Sequence, residues 1–529
     1  MRRYKPQIVF TLLLLLAVAF VRAQGAVTVS GVLVLTHLDD TIQNTHFTFA
    51  QLMTPTATYT LDMRLTNAQP FRDQEITVTG TTIQTPQFVP LLAGETYLQV
   101  NTLNRSVSQA SGSLFAQSAS TQAVDETYLL IACRYPDIQE LPFAASEMAP
   151  MFVNASVPQG DLSSYFHEQS FGQYTLAGST VYPDWVAVPN PRSAYYDDPA
   201  DPNDGIDFFA STQFFQDCVN AVDPNVDFNQ YSQVSIISNY DIGGGYATRA
   251  FLTTQETGGQ FFGAIQIYGS LYGGLHSHEM GHTLGLPHIG EYRAYDTTWS
   301  TMSGPGPSGF FWGQTVITAQ ASGFTGYGVE TIGWIPESRK VNVPAGQSQT
   351  VTIERLKQPT SNTSTLLVTV PIPNTSPQRT LYIDVREDDL GYDQLIPGSG
   401  VTIVEYPYTS STGETIARVI DTDNNNTPRD SGSFLTPGQS FSANGIAVNV
   451  LSRNGSFYTV RVSNNVSGSN PDANGDGNVT PADAIYVINR IGNAVTGDNA
   501  AADVNMDNNI TAADAEIVIQ ALGSRLSAE

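Results

Sequence analysis

The stretch of sequence that decides the interpretation is His278-Glu279-Met280-Gly281-His282-Thr283-Leu284-Gly285-Leu286-Pro287-His288. His278 and His282 are four residues apart, so a helix places both imidazole rings on one face. Gly285 permits the left-handed backbone that ends a helix, and this turn is expected to bring His288 to the same point. Three imidazoles in this arrangement are typical ligands of Zn²⁺, with one coordination position left open.

The neighbouring ionisable residues receive different roles. Glu279 directly follows the first ligand and is expected to act as a general base toward water at the open position. His276 lies two residues before His278, so a helix turns its ring to another face, and it is interpreted as a flanking residue. Three further histidines have no ligand-like neighbours in the sequence and are interpreted as structural: His37, His46 and His167.

A methionine downstream completes a recognisable pattern. Met302 lies in the turn-forming run Trp299-Ser300-Thr301-Met302-Ser303-Gly304-Pro305. With the histidine run, it resembles the metzincin zinc peptidases, and residues 126–405 resemble the immune inhibitor A and gametolysin-like metallopeptidases. Looser similarity lies in segments 170–174, 382–386, 391–393 and 398–401. The resemblance implies a secreted zinc endopeptidase that hydrolyses protein substrates, with Met302 forming a hydrophobic base beneath the histidines.

One position departs from the metzincin pattern. Some metzincins carry a tyrosine two residues after the methionine, where it helps to hold the metal or the oxyanion, but Gly304 stands there in this chain. Stabilisation of the transition state is therefore expected from another residue. The sequence does not choose among three candidates: Tyr292, Tyr295 and Tyr327.

Two acidic loops near the C-terminus predict calcium binding. Oxygen-bearing side chains occupy alternate loop positions in both: Asp472, Asn474, Asp476, Asn478 and Asp483 in the first, and Asp503, Asn505, Asp507, Asn509 and Asp514 in the second. This is the ligand spacing of EF-hand loops. Gly477 and Asn508 stand at the sixth position, where the turn requires a positive φ. Apolar runs at 484–491 and 517–522 predict a helix after each loop.

Two loop–helix repeats with Asp at the twelfth position resemble a bacterial dockerin of the first type over residues 470–523. The resemblance implies calcium-dependent docking onto a cohesin module of a scaffold or cell-surface protein. Pro481-Ala482 and Ala512-Ala513 occupy the positions that often set partner choice, and they identify no particular cohesin.

The length and composition predict several folded domains. The chain has 529 residues and is 41% hydrophobic, so it is too long for one core and too apolar to be disordered. Five segments are predicted: a signal peptide (1–23), an N-terminal β-rich domain (24–122), a zinc metallopeptidase catalytic domain (123–340), a β-sandwich domain (341–465) and a dockerin-like module (466–529). The predicted fold class is an α/β (α+β) metzincin-like catalytic domain flanked by β-sandwich-like domains, followed by a small all-α module of EF-hand repeats.

Charge and the N-terminus indicate an exported protein. Acidic residues outnumber basic ones 49 to 23, and the net charge of −26 argues against nucleic acid or an anionic membrane as a partner. A basic start followed by an apolar run at 8–21 predicts a secretory signal cleaved after Ala23, with an uncleaved anchor helix as the alternative. No later stretch is suited to crossing a membrane.

The acidic cluster within residues 197–207 is interpreted as a solvated turn, with a structural calcium site as the alternative.

Three questions stay open at this stage. Cys133 and Cys218 are the only cysteines, and they form either one disulfide or two buried thiols. No cysteine precedes Cys133, so latency through an N-terminal cysteine is excluded, whereas an N-terminal carboxylate ligand and a plain accessory domain both fit. A non-catalytic assembly or adhesion protein, using the peptidase-like domain as a binding surface, is the alternative to a secreted enzyme.

Overall fold

The structure is a computed structural model, and it describes the chain outside residues 1–25, 41–44, 55–56, 64–67, 69–70, 73, 84–95, 106–125, 150–160, 196–210, 241–243, 257, 269–272, 304–321, 374, 395, 411–413, 424, 426–429, 465–470, 475–478, 494–498, 505–508 and 527–529. The predicted signal peptide and the acidic cluster at 197–207 lie outside the described residues. The chain divides into two compact units, Met1–Leu35 with Phe49–Phe115, and Thr36–Thr48 with Ala116–Glu529.

The first unit is a small β-structure. Its strands are β1 (Ala26–Asp40), β2 (Thr45–Met53), β3 (Thr58–Asp62), β4 (Glu75–Ile83) and β5 (Tyr97–Arg105). The hydrogen-bonded order is β2-β3-β5-β4-β1, and β1 also pairs with β2. Alternating apolar side chains form the core, among them Leu33, Leu52, Leu61, Ile76 and Leu98. Thr36–Thr48, which includes the end of β1 and the start of β2, belongs to the second unit.

A mixed sheet forms one side of the second unit. Its strands are the end of β1, β6 (Tyr128–Arg134), β7 (Thr180–Ala187), β8 (Gln233–Ser238), β9 (Gly244–Leu252) and β10 (Gln260–Tyr268), in the order β1-β9-β10-β8-β6-β7. Strands β10, β8, β6 and β7 are parallel, whereas β9 is antiparallel to both β10 and β1. The apolar segments 128–132 and 234–237 lie in β6 and β8, and both strands are buried.

Four helices of the second unit lie in the described residues between 161 and 340: α1 (Leu162–Gln169), α2 (Ser211–Val222), α3 (Gly273–Thr283) and α4 (Gly326–Ile332). Asp161 caps α1 by accepting a hydrogen bond from the Ser164 amide at 2.6 Å. α3 is the predicted histidine-bearing helix, and its Leu275 and Met280 lie in the main core. Cys133 on β6 and Cys218 on α2 form a disulfide, which answers the question that the sequence left open.

Two further sheets follow in the second unit. The first has the order β11-β17-β16-β15-β14-β12 and the second β13-β20-β19-β18. Their strands are β11 (Ile289–Gly290), β12 (Lys340–Asn342), β13 (Gln347–Glu354), β14 (Leu367–Pro371), β15 (Thr380–Arg386), β16 (Gly400–Thr409), β17 (Thr415–Val419), β18 (Ser440–Ala443), β19 (Ile446–Asn454) and β20 (Phe457–Asn464). Side chains of both sheets share one core, for example Ile383 and Ile403 with Val448 and Val460.

The C-terminal segment contains α5 (Pro481–Ile488) and α6 (Ala512–Leu526). Their apolar faces meet in a small core that includes Ala484, Val487, Ile510 and Val518. Among the described residues, no helix combines the length and the apolar character that a membrane crossing requires.

The predicted fold class is wrong. The structure is mostly β, with 40% strand, 23% helix and six helices in its described part, and it gives no sign of a metzincin fold. The sequence prediction rested on the metzincin resemblance and on the histidine-bearing helix expected between residues 123 and 340. It did not recognise β7, β9 and β10, whose mixed polar and apolar residues lack a simple alternation. Pairing with neighbouring strands, rather than the local pattern, makes these segments strands.

Candidate metal centre

The three predicted histidine ligands meet at the end of α3. His278 and His282 lie one helical turn apart, and α3 ends at Thr283. Gly285 then adopts a φ of 107°, so the predicted left-handed turn is present. The chain continues into β11, and the Ala417 amide donates to the carbonyl of His288 at 2.9 Å. The third histidine is therefore held by β17, a strand far along the chain.

The rings converge through their Nε2 atoms. His282 Nε2 lies 3.0 Å from His278 Nε2 and 3.1 Å from His288 Nε2, and all three side chains are buried. Tetrahedral coordination with Zn–N bonds of about 2.0–2.1 Å separates ligand atoms by about 3.3–3.4 Å. The spacing of the three nitrogens therefore fits a zinc ion after a small outward adjustment.

The opposite ring nitrogens fix the orientation of each imidazole. His278 Nδ1 lies 2.7 Å from the Thr301 carbonyl, and His282 Nδ1 lies 2.7 Å from the Leu286 carbonyl. Because a carbonyl can only accept, both Nδ1 atoms donate the hydrogen, and in the neutral form of each ring the Nε2 atom presents its lone pair to the centre. Metal-binding histidines in proteins characteristically show this outer hydrogen bond.

His288 has a carboxylate in the corresponding place. Its Nδ1 lies 2.9 Å from Glu414 Oε1, which lies between β16 and β17. Burial alone favours a neutral ring, but Asp39 and Glu414 outweigh it and raise the pKa of His288 to about 10. Burial lowers the pKa of His282 to about 3. The two carboxylates therefore stabilise positive charge at His288.

Glu279 is completely buried beside the ligands. Gly245 on β9 lies against its carboxylate, and a side chain at that position would collide with it. Burial raises the pKa of Glu279 well above its usual range, and the negative charge of Asp39 raises it further. The residue predicted to be the general base therefore lies beside the cluster in an environment that favours proton uptake.

Asp39 is the site residue that sequence reasoning did not name. Its Oδ1 lies 2.7 Å from His288 Nε2, and its Oδ2 lies 3.3 Å from His278 Nε2 and 3.4 Å from His282 Nε2. Burial opposes ionisation of this carboxyl, but the charges of His288 and His278 hold its pKa well below the usual range. No local sequence pattern marks it, because the pairing of β1 with β9 brings it to the site.

The histidines that were interpreted as structural occupy different places. His37 stacks on His282, with ring centroids 3.9 Å apart and planes 8° apart, so it supports a ligand ring. His276 is buried with Nε2 2.8 Å from Ser235 Oγ, and burial lowers its pKa to about 3. His167 is exposed on α1, and the side chain of His46 lies outside the described residues.

Met302 lies beneath α3 in the short turn Thr301–Ser303. Its sulfur approaches Gly281 so closely that no side chain would fit there, and its Cε would lie 3.2 Å from a Cβ at that position. The Met302 side chain is 3% exposed and shares the main core with Met280. The neighbouring Thr301 carbonyl orients His278, so this turn supports the cluster through both packing and hydrogen bonding. Gly304 lies outside the described residues.

The structure distinguishes the three candidate tyrosines. Tyr295 Oη lies 3.2 Å from His288 Nε2. Tyr292 instead donates to Asp421, and Tyr327 is buried against Tyr406 with ring centroids 4.6 Å apart. Among these candidates, Tyr295 is the one in contact with a ligand nitrogen.

The loop that carries Tyr295 is held by Asp296. Its carboxylate accepts hydrogen bonds from the amides of Glu291, Tyr292 and Arg293 at 2.6, 3.0 and 3.1 Å. Tyr295 adopts a φ of 68°, an uncommon conformation for a residue with a side chain. The bonds to Asp296 fix the backbone that places the phenol beside His288.

The two predicted calcium loops are described in part. Asp483 accepts hydrogen bonds from the amides of Asn474 and Thr480 at 3.0 and 2.8 Å. Asp514 accepts from the Thr511 amide at 2.8 Å, so both loops end on the same turn geometry. Four predicted ligands lie outside the described residues: Asp476, Asn478, Asn505 and Asp507. Of the other predicted ligands, Asp472 and Asn474 are half-buried, Asp503 is buried and Asn509 is exposed.

Comparison with known proteins gives one family match. Residues 470–523 match the Dockerin type I domain, the same range that the two acidic loops predict. No curated protein and no solved structure matches the chain. The match does not reach the histidine cluster. The C-terminal segment is therefore similar to dockerin type I domains, and the predicted dockerin-like module is confirmed.

Proposed function

We propose that this chain is a secreted zinc-dependent endopeptidase that a calcium-dependent dockerin module attaches to a cohesin-bearing scaffold or surface protein. The proposal of an enzymatic function rests on the orientation of the three buried histidines. Their Nδ1 atoms face acceptors and their Nε2 atoms face one another, with a buried glutamate beside them. This arrangement fits zinc chemistry better than a packed helix, because a packed helix has no need to bring three imidazoles to one point.

The zinc ion and the protein side chains would contribute different steps of peptide hydrolysis. Bound at the three nitrogens, zinc supplies a Lewis acid that polarises a scissile carbonyl and makes water more acidic. Glu279 takes the proton from the attacking water and delivers it to the leaving amine. The Tyr295 phenol lies 3.2 Å from His288 Nε2 and would donate a hydrogen bond to the oxyanion. Met302 and Thr301 hold the helix and its first ligand in place.

The docking part rests on the family match and the exposed surface of the module. Two predicted calcium loops with matched ligand spacing each precede a helix, as in EF-hand pairs, and the helices have 8 and 15 residues. Large apolar side chains are unusually exposed on these helices and just after α5: Ile485 58%, Ile488 50%, Ile491 44% and Ile519 53%. Exposed aliphatic side chains in a small module are typical of a protein-binding surface. A cohesin is the partner that the dockerin match favours.

The test of the enzymatic part is a Glu279→Gln variant assayed on casein. The substitution is made both in the native chain and in an Asp39→Ala chain. The second background removes the Asp39 carboxylate from the histidine nitrogens, so any effect of that carboxylate on activity can be separated from the effect of Glu279. Loss of a general base is expected to lower the rate by about 10²–10⁴ while zinc remains bound. The matched control is Glu330→Gln, because Glu330 pairs with Lys340 at 2.8 Å and contacts no ligand.

Two outcomes would contradict this function. Casein hydrolysis at the parental rate by the zinc-loaded Glu279→Gln protein would remove Glu279 as the base. Zinc binding without hydrolysis in either parental background would favour the non-catalytic assembly protein, in which the cluster serves only as a binding surface.

A further inference from the structure

A completely buried ion pair lies behind the turn that supports His278. Arg386 ends β15, and Asp393 belongs to the short turn that follows this strand. Arg386 Nε lies 2.6 Å from Asp393 Oδ2, and its Nη2 lies 2.5 Å from Oδ1, which is the two-point geometry that suits a guanidinium and a carboxylate. Both residues lie in segments to which the proposed chemistry gives no role, 382–386 and 391–393.

The other contacts of Arg386 hold two backbone carbonyls. Its Nη1 donates to the Trp299 carbonyl at 3.1 Å, and its Nη2 donates to the Gly323 carbonyl at 3.0 Å. The Gly323 amide donates to Asp393 Oδ1 at 3.2 Å, so the ion pair binds both polar backbone groups of that glycine. The pair therefore fixes two segments that are distant in the chain, one at Trp299 and one at Gly323.

These two segments lead to the first histidine ligand through backbone hydrogen bonds. The Thr301 amide donates to the Ser322 carbonyl at 3.2 Å, which ties the two segments to each other. The Thr301 carbonyl in turn accepts from His278 Nδ1 at 2.7 Å. A change in the direction of this carbonyl would turn the imidazole, so the orientation of His278 depends on the backbone that Arg386 holds.

Stability alone is a weak reason for such an ion pair. Two ions lose their solvation when they are buried, and apolar side chains of the same volume often replace a buried pair without loss of stability. An apolar replacement of Arg386 would, however, take its donors away from the carbonyls of Trp299 and Gly323 in a buried environment. The specific contribution of the pair is thus the direction of these two carbonyls.

We propose that Arg386, oriented by Asp393, is a positioning residue of the metal centre. It fixes the turn Thr301–Ser303, so that the Thr301 carbonyl holds His278 Nδ1 and directs the opposite nitrogen of the ring toward the metal. This role rests on the zinc site of the proposed function and does not require peptidase chemistry. Arg386 lies in the region predicted as a separate β-sandwich domain, so the metal centre depends on both regions.

The first measurement is proton NMR of the metal-free full chain with isotope-labelled histidine. The Nδ1 hydrogens of His278 and His282 each meet a carbonyl at 2.7 Å in a buried site, so each should give a separate downfield signal that exchanges slowly with water. Arg386→Lys keeps the charge but loses the planar fork, so one ammonium cannot hold the carboxylate and both carbonyls. In this variant the His278 signal should move or exchange faster, and the His282 signal should stay unchanged.

The second measurement is zinc affinity by competition with a chromogenic chelator. Arg386→Lys should weaken binding about tenfold, the lower end of the range for outer partners of a metal-bound histidine, because Arg386 acts through Thr301. Asp393→Asn keeps the side-chain volume, should change both measurements in the same direction and provides the test if Arg386→Lys does not fold. Arg379→Lys is the matched control, since Arg379 pairs with Glu405 through the same two nitrogens at the other end of β15. It should leave both measurements at their native values.

Three results would decide the matter. A folded Arg386→Lys or Asp393→Asn protein with the native His278 signal or the native zinc affinity would overturn the positioning role. Equal changes in the His278 and His282 signals would also overturn it, because they would indicate a general loosening of the site. A His278 signal that changes alone, in a chain that binds no zinc even in its native form, would support the role of Arg386 and refute the zinc site, so the two failures are distinguishable.

Discussion

Replacing Glu414 with alanine should weaken zinc binding without disturbing the ligands themselves. Glu414 accepts a hydrogen bond from His288 Nδ1 at 2.9 Å, and its side chain is 10% exposed. This bond fixes the tautomer that presents Nε2 to the centre, and its negative charge makes the imidazole a stronger donor. His278 and His282 keep their backbone acceptors, so the variant removes one of three outer bonds.

The expected loss of zinc affinity follows from the removal of one of the three outer hydrogen bonds. Loss of one outer partner of a metal-bound histidine typically costs 10–100-fold in affinity, or about 1.4–2.8 kcal/mol. Because Glu414 is largely buried, little water can replace it at His288 Nδ1. We therefore expect the loss of zinc affinity to lie in the upper half of that range. The same free energy disappears from the stabilisation that saturating zinc gives to the folded protein.

The assay is competition for zinc with a chromogenic chelator, using native protein, Glu414→Ala and Glu330→Ala. Glu330 also forms a half-buried contact, with Lys340, but does not contact the cluster. The dissociation constant should rise for Glu414→Ala alone, and the metal-free proteins should denature at similar urea concentrations. An unchanged dissociation constant, or an equal loss of stability with and without zinc, would refute the outer-bond argument.

Two further predictions concern Tyr295 and the C-terminal module. Tyr295→Phe in the Asp39→Ala background should lower the rate of casein hydrolysis by about 10²–10³ with zinc affinity unchanged, since it removes one donor to the oxyanion. A rate within twofold of the parent would exclude that role. Asp514→Ala should abolish one of two calcium-binding steps in titration calorimetry, whereas Glu516→Ala, an exposed carboxylate on α6, should retain both. Absence of calcium binding by the native chain would contradict the assignment of both loops.

The parts of the site that are close in sequence could be predicted from it. His278, His282 and His288 lie within one helix and its terminal turn, so spacing and the properties of Gly285 are sufficient to bring them together. The calcium module is equally local, because each loop and its helix are continuous in the chain. Both predictions use rules of backbone geometry that need no knowledge of the fold.

The remaining parts depend on long-range pairing. Asp39 reaches the cluster through the pairing of β1 with β9, and Glu414 lies 126 residues after His288. No local sequence pattern predicts either contact. The fold class failed for the same reason, since β9 and β10 are strands through their neighbours rather than through alternation. Sequence reasoning had admitted an N-terminal carboxylate at the metal but offered no means of identifying Asp39.

The most direct test of the central claim is the zinc content of the purified full chain. After equilibration with zinc and removal of excess metal, mass spectrometry of the elements should find a single tightly held zinc ion per chain. His282→Ala should lose it, whereas His167→Ala, which changes an exposed histidine on α1, should keep it. A native chain without tightly held zinc, or a His282→Ala chain with the native content, would contradict the account.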